Sequence, residues 1–102
     1  MKYYEVQIDV PRDLEEKFVE WLIPHMEEMG QLPCFYQTDR LEVLDGETSH
    51  TSRRFLCRYF YKTDDDMENY LTTYAEKMRG DLPDNWSSSI SFERRLGVYT
   101  KL

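Results

Sequence analysis

The sequence predicts an α+β domain, a four-stranded antiparallel sheet with two helices on one face. Three observations predict it. Four runs carry the two-residue alternation of strands, and two carry the three-and-four spacing of helices. Their order is β-α-β-β-α-β. The run at 51–62, T-S-R-R-F-L-C-R-Y-F-Y-K, is the densest β-forming stretch and has no Gly or Pro. It sets Phe55, Cys57, Tyr59 and Tyr61 on one face and Arg54, Leu56, Arg58 and Phe60 on the other. A strand with two such different faces belongs in the middle of a sheet.

Each element follows from a local pattern. Residues 3–10 alternate, with Tyr4, Val6, Ile8 and Val10 facing one way and Tyr3, Glu5, Gln7 and Asp9 the other, until Pro11 ends the strand. Asp13 with Glu16 reads as a capping box for a first helix. Its stripe is Leu14, Phe18, Trp21, Leu22, His25, Met26 and Met29. Pro24 should kink this helix or split off its last turn, and Gly30 should stop it. Residues 34–44 read as a second strand, followed by the turn signal Asp45-Gly46-Glu47. A hairpin centred on that loop sets Tyr36 opposite Tyr59 and Arg40 opposite Phe55. Cys34 and Cys57 are then about 13 Å apart, too far for a disulfide.

Thr63 should cap the second helix, with Asp64, Asp65 and Asp66 in its first turn. Its apolar stripe is Met67, Tyr70, Leu71, Tyr74, Ala75 and Met78, and Gly80 stops it. Residues 89–99 read as the last strand. Ile90, Phe92, Leu96 and Val98 share a face with Arg94, opposite Ser91, Glu93 and Arg95. The order β-α-β-β-α-β is the ferredoxin-like signature, with the first and third strands central.

The totals narrow the function classes. One domain of 102 residues is large enough to bury a core without disulfides or metal. Thirteen basic against twenty acidic residues give a net charge of −7. That argues against nucleic acid and anionic membranes as partners, since both need a cationic surface. No run approaches the length of a membrane span, and the first residues read as a strand, so no signal peptide is expected. Two cysteines without a framework point to a reducing compartment, with cytoplasm as the default.

The sheet face without helices carries Phe35, Leu41, Val43, Leu56 and Phe60, an apolar set too large to leave in water. Pairing two such faces would make a homodimeric α/β barrel with Leu56, Phe60, Phe35 and Leu41 at the interface. Glu5 and Asp9 lie one strand from Arg54 and Arg58. Opposite charges so placed can satisfy each other structurally. They can also build a site for a small polar or anionic ligand, with Arg58 as anchor, Glu5 or Glu93 as proton acceptor, and Asp39 and Arg95 beside them.

Other motifs carry less. His25 sits on the apolar stripe near a helix C-terminus, where a structural role is the plain one; with Glu5 it is the available catalytic candidate. His50 lies in the hairpin loop. The spacing of two His and two Cys fits no metal site, so neither metal nor cofactor is expected. The aspartate run is explained by the helix N-terminus, and it lacks the calcium-loop glycine and glutamate. The third strand invites comparison with an RNA-recognition sheet, but Leu56 and Cys57 fill the small positions and the charge is wrong.

Three segments together carry a family resemblance. They are Y-Y-E-V-Q-I-D-V at the start, then Glu20, Trp21, His25, Met26, Cys34 and Phe35, then R-Y-F-Y-K-T-D-D-D-M-E-N-Y-L. The chain resembles an uncharacterised bacterial domain-of-unknown-function family, the one numbered 4286. That family usually has His-Ile-Pro where this chain has His25-Met26-Glu27; here Ile23-Pro24 precede the histidine instead. The resemblance implies a ferredoxin-like domain of the dimeric α/β-barrel kind. Related barrels include cofactor-free monooxygenases, haem-handling enzymes and pure ligand binders. The sequence therefore leaves two function classes, a homodimeric binding module and a cofactor-independent, monooxygenase-like enzyme on a small molecule.

Overall fold

The computed structural model of the protein describes residues 1–44, 46 and 51–102. Strands β1 (Lys2–Pro11), β2 (Gln37–Val43), β3 (Ser52–Tyr61) and β4 (Ser91–Val98) form one sheet in the order β2-β3-β1-β4. Every pairing is antiparallel. Helix α1 (Glu15–Gly30) connects β1 to β2. A second helical run, α2 (Asp64–Asn69), a π turn (Tyr70–Tyr74) and α3 (Ala75–Gly80), connects β3 towards β4. This is the ferredoxin-like arrangement that the element order predicts, with β1 and β3 central.

The core lies between the helices and the sheet. Phe18 of α1 stacks on Phe55 of β3, and Tyr70 of the π turn packs on Tyr4 of β1. Phe18, Leu22, Met26 and Met29 are the buried face of α1, the spacing expected of an amphipathic helix. Thr63 closes a capping box with Asp66, each side chain bonded to the other's backbone N–H.

Several local expectations are corrected. Asp13 does not cap α1, because residues Arg12–Leu14 form a 3₁₀ turn that leads directly into the helix. Pro24 neither stops α1 nor splits it. Pro24 and Glu20 are both exposed, so the carbonyl that loses its partner, that of Glu20, can be met by water. In the second helical run the Ala75 N–H bonds the Tyr70 carbonyl, five residues back. That extra residue keeps both Tyr70 and Ala75 inward and turns Leu71, expected in the stripe, out into water at 49% exposure.

The β2–β3 register differs from the centred hairpin by two residues. Thr38 pairs with Tyr59 and Arg40 with Cys57. A shift of two preserves the faces, so the side assignments of paired residues survive it. The strand begins at Gln37 because Cys34 and Phe35 turn inward. Phe35 packs against Tyr59 and Tyr70 under the helices. It is therefore a core residue and not part of the open face, where it was expected. Cys34 and Cys57 are free and buried. The turn residues Asp45 and Glu47, and His50, lie outside the described residues.

Gly97 of β4 has a packing reason. It pairs with Tyr3, and any Cβ there would collide with the Tyr3 ring. Gly97→Ala is expected to cost about 1–3 kcal/mol of unfolding free energy in urea titrations. In a Tyr3→Ala background most of that cost should vanish, a coupling that a double-mutant cycle measures.

Candidate functional site

Two places on the sheet bring chemistry-bearing side chains together, one on each face. On the open face, β-strand alternation lines up Glu5, Gln7 and Asp9 of β1, Asp39 and Leu41 of β2, Arg54, Leu56, Arg58 and Phe60 of β3, and Glu93 and Arg95 of β4. The predicted ligand residues Arg58, Glu5, Asp39, Glu93 and Arg95 all arrive there. They are bound to one another. Arg58 grips Asp39 with two bonds, Nε to Oδ1 at 2.8 Å and Nη2 to Oδ2 at 2.9 Å. Arg54 holds Asp9 in the same two-handed way at 2.7 and 3.2 Å. Arg95 lies 3.4 Å from the buried Glu5 and 3.3 Å from Glu93, and donates to Gln7 at 2.9 Å. The Arg58–Asp39 and Arg54–Asp9 contacts are planar fork-to-carboxylate pairings, the strong geometry for arginine.

Arg58 is also ringed by aromatic groups. Its guanidinium lies 5.7 Å from the Tyr3 ring, 5.6 Å from Phe60 and 5.7 Å from Tyr99. Tyr3 and Tyr99 pack edge-on against Phe60. Phe60 is only 2% exposed as a result, so it is already covered within one copy and is not the open apolar group expected of it. Leu41, 44% exposed, remains open, and its direct partner across the ladder is the half-buried Leu56. Tyr99 was missed in the sequence, although alternation from Ser91 through Glu93, Arg95 and Gly97 places it on this face. Two bonds fasten it to Met1: its N–H donates to the Met1 carbonyl at 2.7 Å, and the Met1 amino group donates to the Tyr99 carbonyl at 2.9 Å.

The second place lies on the helix side, between α1, α3 and the sheet. A cavity of about 130 Å³ opens there, lined by residues that include Trp21, His25, Tyr70, Met78, Arg79 and Arg94. The Trp21 indole N–H donates to the Asp81 carbonyl at 3.2 Å, which fixes the ring. His25, one turn on, stacks on it with centroids 4.5 Å apart and planes 18° apart. The His25 Nδ1 is sealed from solvent and has no hydrogen-bond partner. Burial pushes the His25 pKa down; the carboxylates of Asp81 and Glu28 oppose that shift without reversing it. Arg79 donates to the Tyr4 hydroxyl at 3.3 Å, and Arg94 lies over Phe92. The signals for this site were present in the sequence: Trp21 and His25 four apart on one stripe, and Arg94 on an otherwise apolar strand face.

His25 and Glu5, paired as catalytic candidates in the sequence, lie on opposite sides of the sheet. They cannot act on one substrate atom. Burial pushes the Cys57 thiol up to about 12, so it is no nucleophile at neutral pH. Among the described residues no three His, Cys, Asp or Glu side chains converge on a metal-sized point.

Fold and site together define a small ferredoxin-like α+β domain with an ion-paired open face and a cavity beneath its helices. The chain belongs to the family described as "Domain of unknown function (DUF4286)", which it matches over residues 1–99. No curated protein matches the sequence. Among solved structures it is similar to two chains each described as a "putative antibiotic biosynthesis monooxygenase". The one from Nitrosomonas europaea is 23% identical, with TM-score 0.64, covering 100% of this chain and 99% of that one. The one from Deinococcus radiodurans is 10% identical, with TM-score 0.72 and coverage of 100% and 95%. A dimeric ferredoxin-like protein from an uncultured marine organism is 16% identical, with TM-score 0.65 and coverage of 99% and 98%. At these identities the likeness is one of fold.

The lowered His25 pKa has a pH consequence. An unfolded chain takes up the imidazole proton near pH 6.5, whereas the folded chain resists it until lower pH. The contribution of neutral His25 to stability is therefore complete above about pH 6.5 and is lost as pH falls from there through the folded pKa. Urea unfolding of the native protein and of His25→Gln should show this slope in the former only, and the difference between them cancels the carboxylates common to both.

Proposed function

We propose that the protein works as a homodimeric binding module, two copies closed through their open sheet faces, in the cytoplasm. The observation that carries this is the pair Leu41 and Leu56. They lie directly opposite each other across the β2–β3 ladder, and the paired Asp39–Arg58 and Asp9–Arg54 lie beside them on the same face. A second copy would bury the leucines, and the neighbouring charges enter the interface already matched, so no lone charge is stranded. The fold is shared with a protein described as dimeric, which supports the reading. The two free cysteines are compatible with a reducing compartment. A polar ligand on this face would have to compete with carboxylates that Arg58 and Arg95 already hold, so the module rests first on the dimer and only secondarily on such a ligand.

The second reading is a cofactor-independent enzyme acting on a small molecule. The histidine lining the cavity beneath the helices favours it, as does the fold shared with chains that carry a monooxygenase description. A binding module returns its ligand chemically unchanged, whereas an enzyme converts it, and chromatography of a recovered ligand separates the two.

Sedimentation at tens of micromolar chain is expected to give twice the chain mass of 12.4 kDa. Leu41→Glu should give the single-chain mass with an unaltered circular dichroism spectrum. A native protein that sediments as a monomer at that concentration would refute the dimer.

A further inference from the structure

The cavity beneath the helices has features that the dimer does not use. Protein cores leave few voids of this size. At about 130 Å³ it approaches the ~150 Å³ engineered cavity that admits benzene. That engineered cavity is wholly apolar and dry. This one has a histidine whose Nδ1 lacks a partner, and it has two arginines.

The arginines distinguish it further. Arg53, Arg54, Arg58 and Arg95 each hold at least one carboxylate. Among the described residues no carboxylate pairs with Arg79 or Arg94, in a chain whose net charge is −7. Both are exposed residues that also line the cavity, so their charged ends belong to its rim. The flat Trp21–His25 stack and the rings of Tyr4, Tyr59 and Tyr70 supply aromatic surface inside.

We propose that this cavity binds a small aromatic monocarboxylate, its ring inside against Trp21 and His25 and its carboxylate at the rim between Arg79 and Arg94. An aromatic ring suits the size and the faces of the walls. A carboxylate suits the guanidinium forks. The cavity lies on the helix side of the sheet, opposite the open face, so the site is independent of the open-face dimer and stands or falls apart from it.

Sodium benzoate, benzamide and inorganic phosphate test this on the full chain, followed by amide and indole NMR shifts. Benzoate should give saturable shifts of the Trp21 indole N–H and of the Arg79 and Arg94 amides. Benzamide should bind about ten-fold more weakly or worse, because it lacks the charge. Phosphate should not saturate the indole shift. The double variant Arg79→Gln, Arg94→Gln removes two exposed guanidinium groups together with the Arg79 bond to the Tyr4 hydroxyl, and an unaltered circular dichroism spectrum checks its fold. The variant should weaken benzoate about ten-fold and leave benzamide unchanged. Absence of a saturable benzoate shift overturns the site. Equal binding of benzoate and benzamide, or benzoate binding indifferent to the double variant, overturns the role of the arginines. Shifts confined to Arg54, Arg58 and Arg95 would place the anion on the open face and overturn the cavity as its site.

Discussion

The ladder between β1 and β3 is the constraint on which everything else depends. It pairs Lys2 with Tyr61 at one end and Pro11 with Ser52 at the other, without a bulge. Because strand side chains alternate, this one register decides both faces at once. On the helix side it sets Tyr4 beside Tyr59 and Ile8 beside Phe55, the floor on which Phe18 and Tyr70 pack. On the other side it sets Asp9 beside Arg54 and Glu5 beside Arg58. A slip of one residue would bury arginines under the helices and expose the aromatic floor.

The arginines show how the fold sorts charge. Glu5 sits opposite Arg58 in the ladder but meets Arg95 of β4, because Arg58 reaches the other way to Asp39 of β2. Neighbouring strands on both sides of the central pair thus compete for the same groups: Asp39 and Asp9 each take a whole guanidinium fork, and Glu5 and Glu93 share Arg95. That network ties up the arginines of the open face, leaving Leu41 with the half-buried Leu56 and Val43 as its unspent apolar surface. Tyr3 folds over Gly97, and Tyr99 comes in from the chain end to cover Phe60. The helix side lacks such matching at Arg79 and Arg94, and that contrast is what marks the cavity.

Much of this was legible beforehand in particular residues. The alternation from Tyr3 to Val10, the Thr63 cap with three aspartates in the first turn after it, and the two-faced run around Arg58 each stand as they read. The failures have physical causes. Phe35 read as the open-face member of a strand, but strand pairing starts only at Gln37, and the core has room for its ring between Tyr59 and Tyr70. The second helical stripe held two overlapping phases, Tyr70 with Leu71 and Tyr74 with Ala75. The π turn chose Tyr70 and Ala75 because those fit the sheet. Phe60 read as exposed because its covers, Tyr3 and Tyr99, are at opposite ends of the chain.

The sequence by itself determined the order of elements, the two faces of each paired strand and the charge balance, since these depend on side chains close along the chain and on a period of two or of about 3.6. Only the tertiary structure decided which arginine takes which carboxylate, which aromatic rings are sealed, and that Trp21, His25, Arg79 and Arg94 share one cavity. Those outcomes depend on contacts between residues far apart in the chain, and no local pattern carries that distance information.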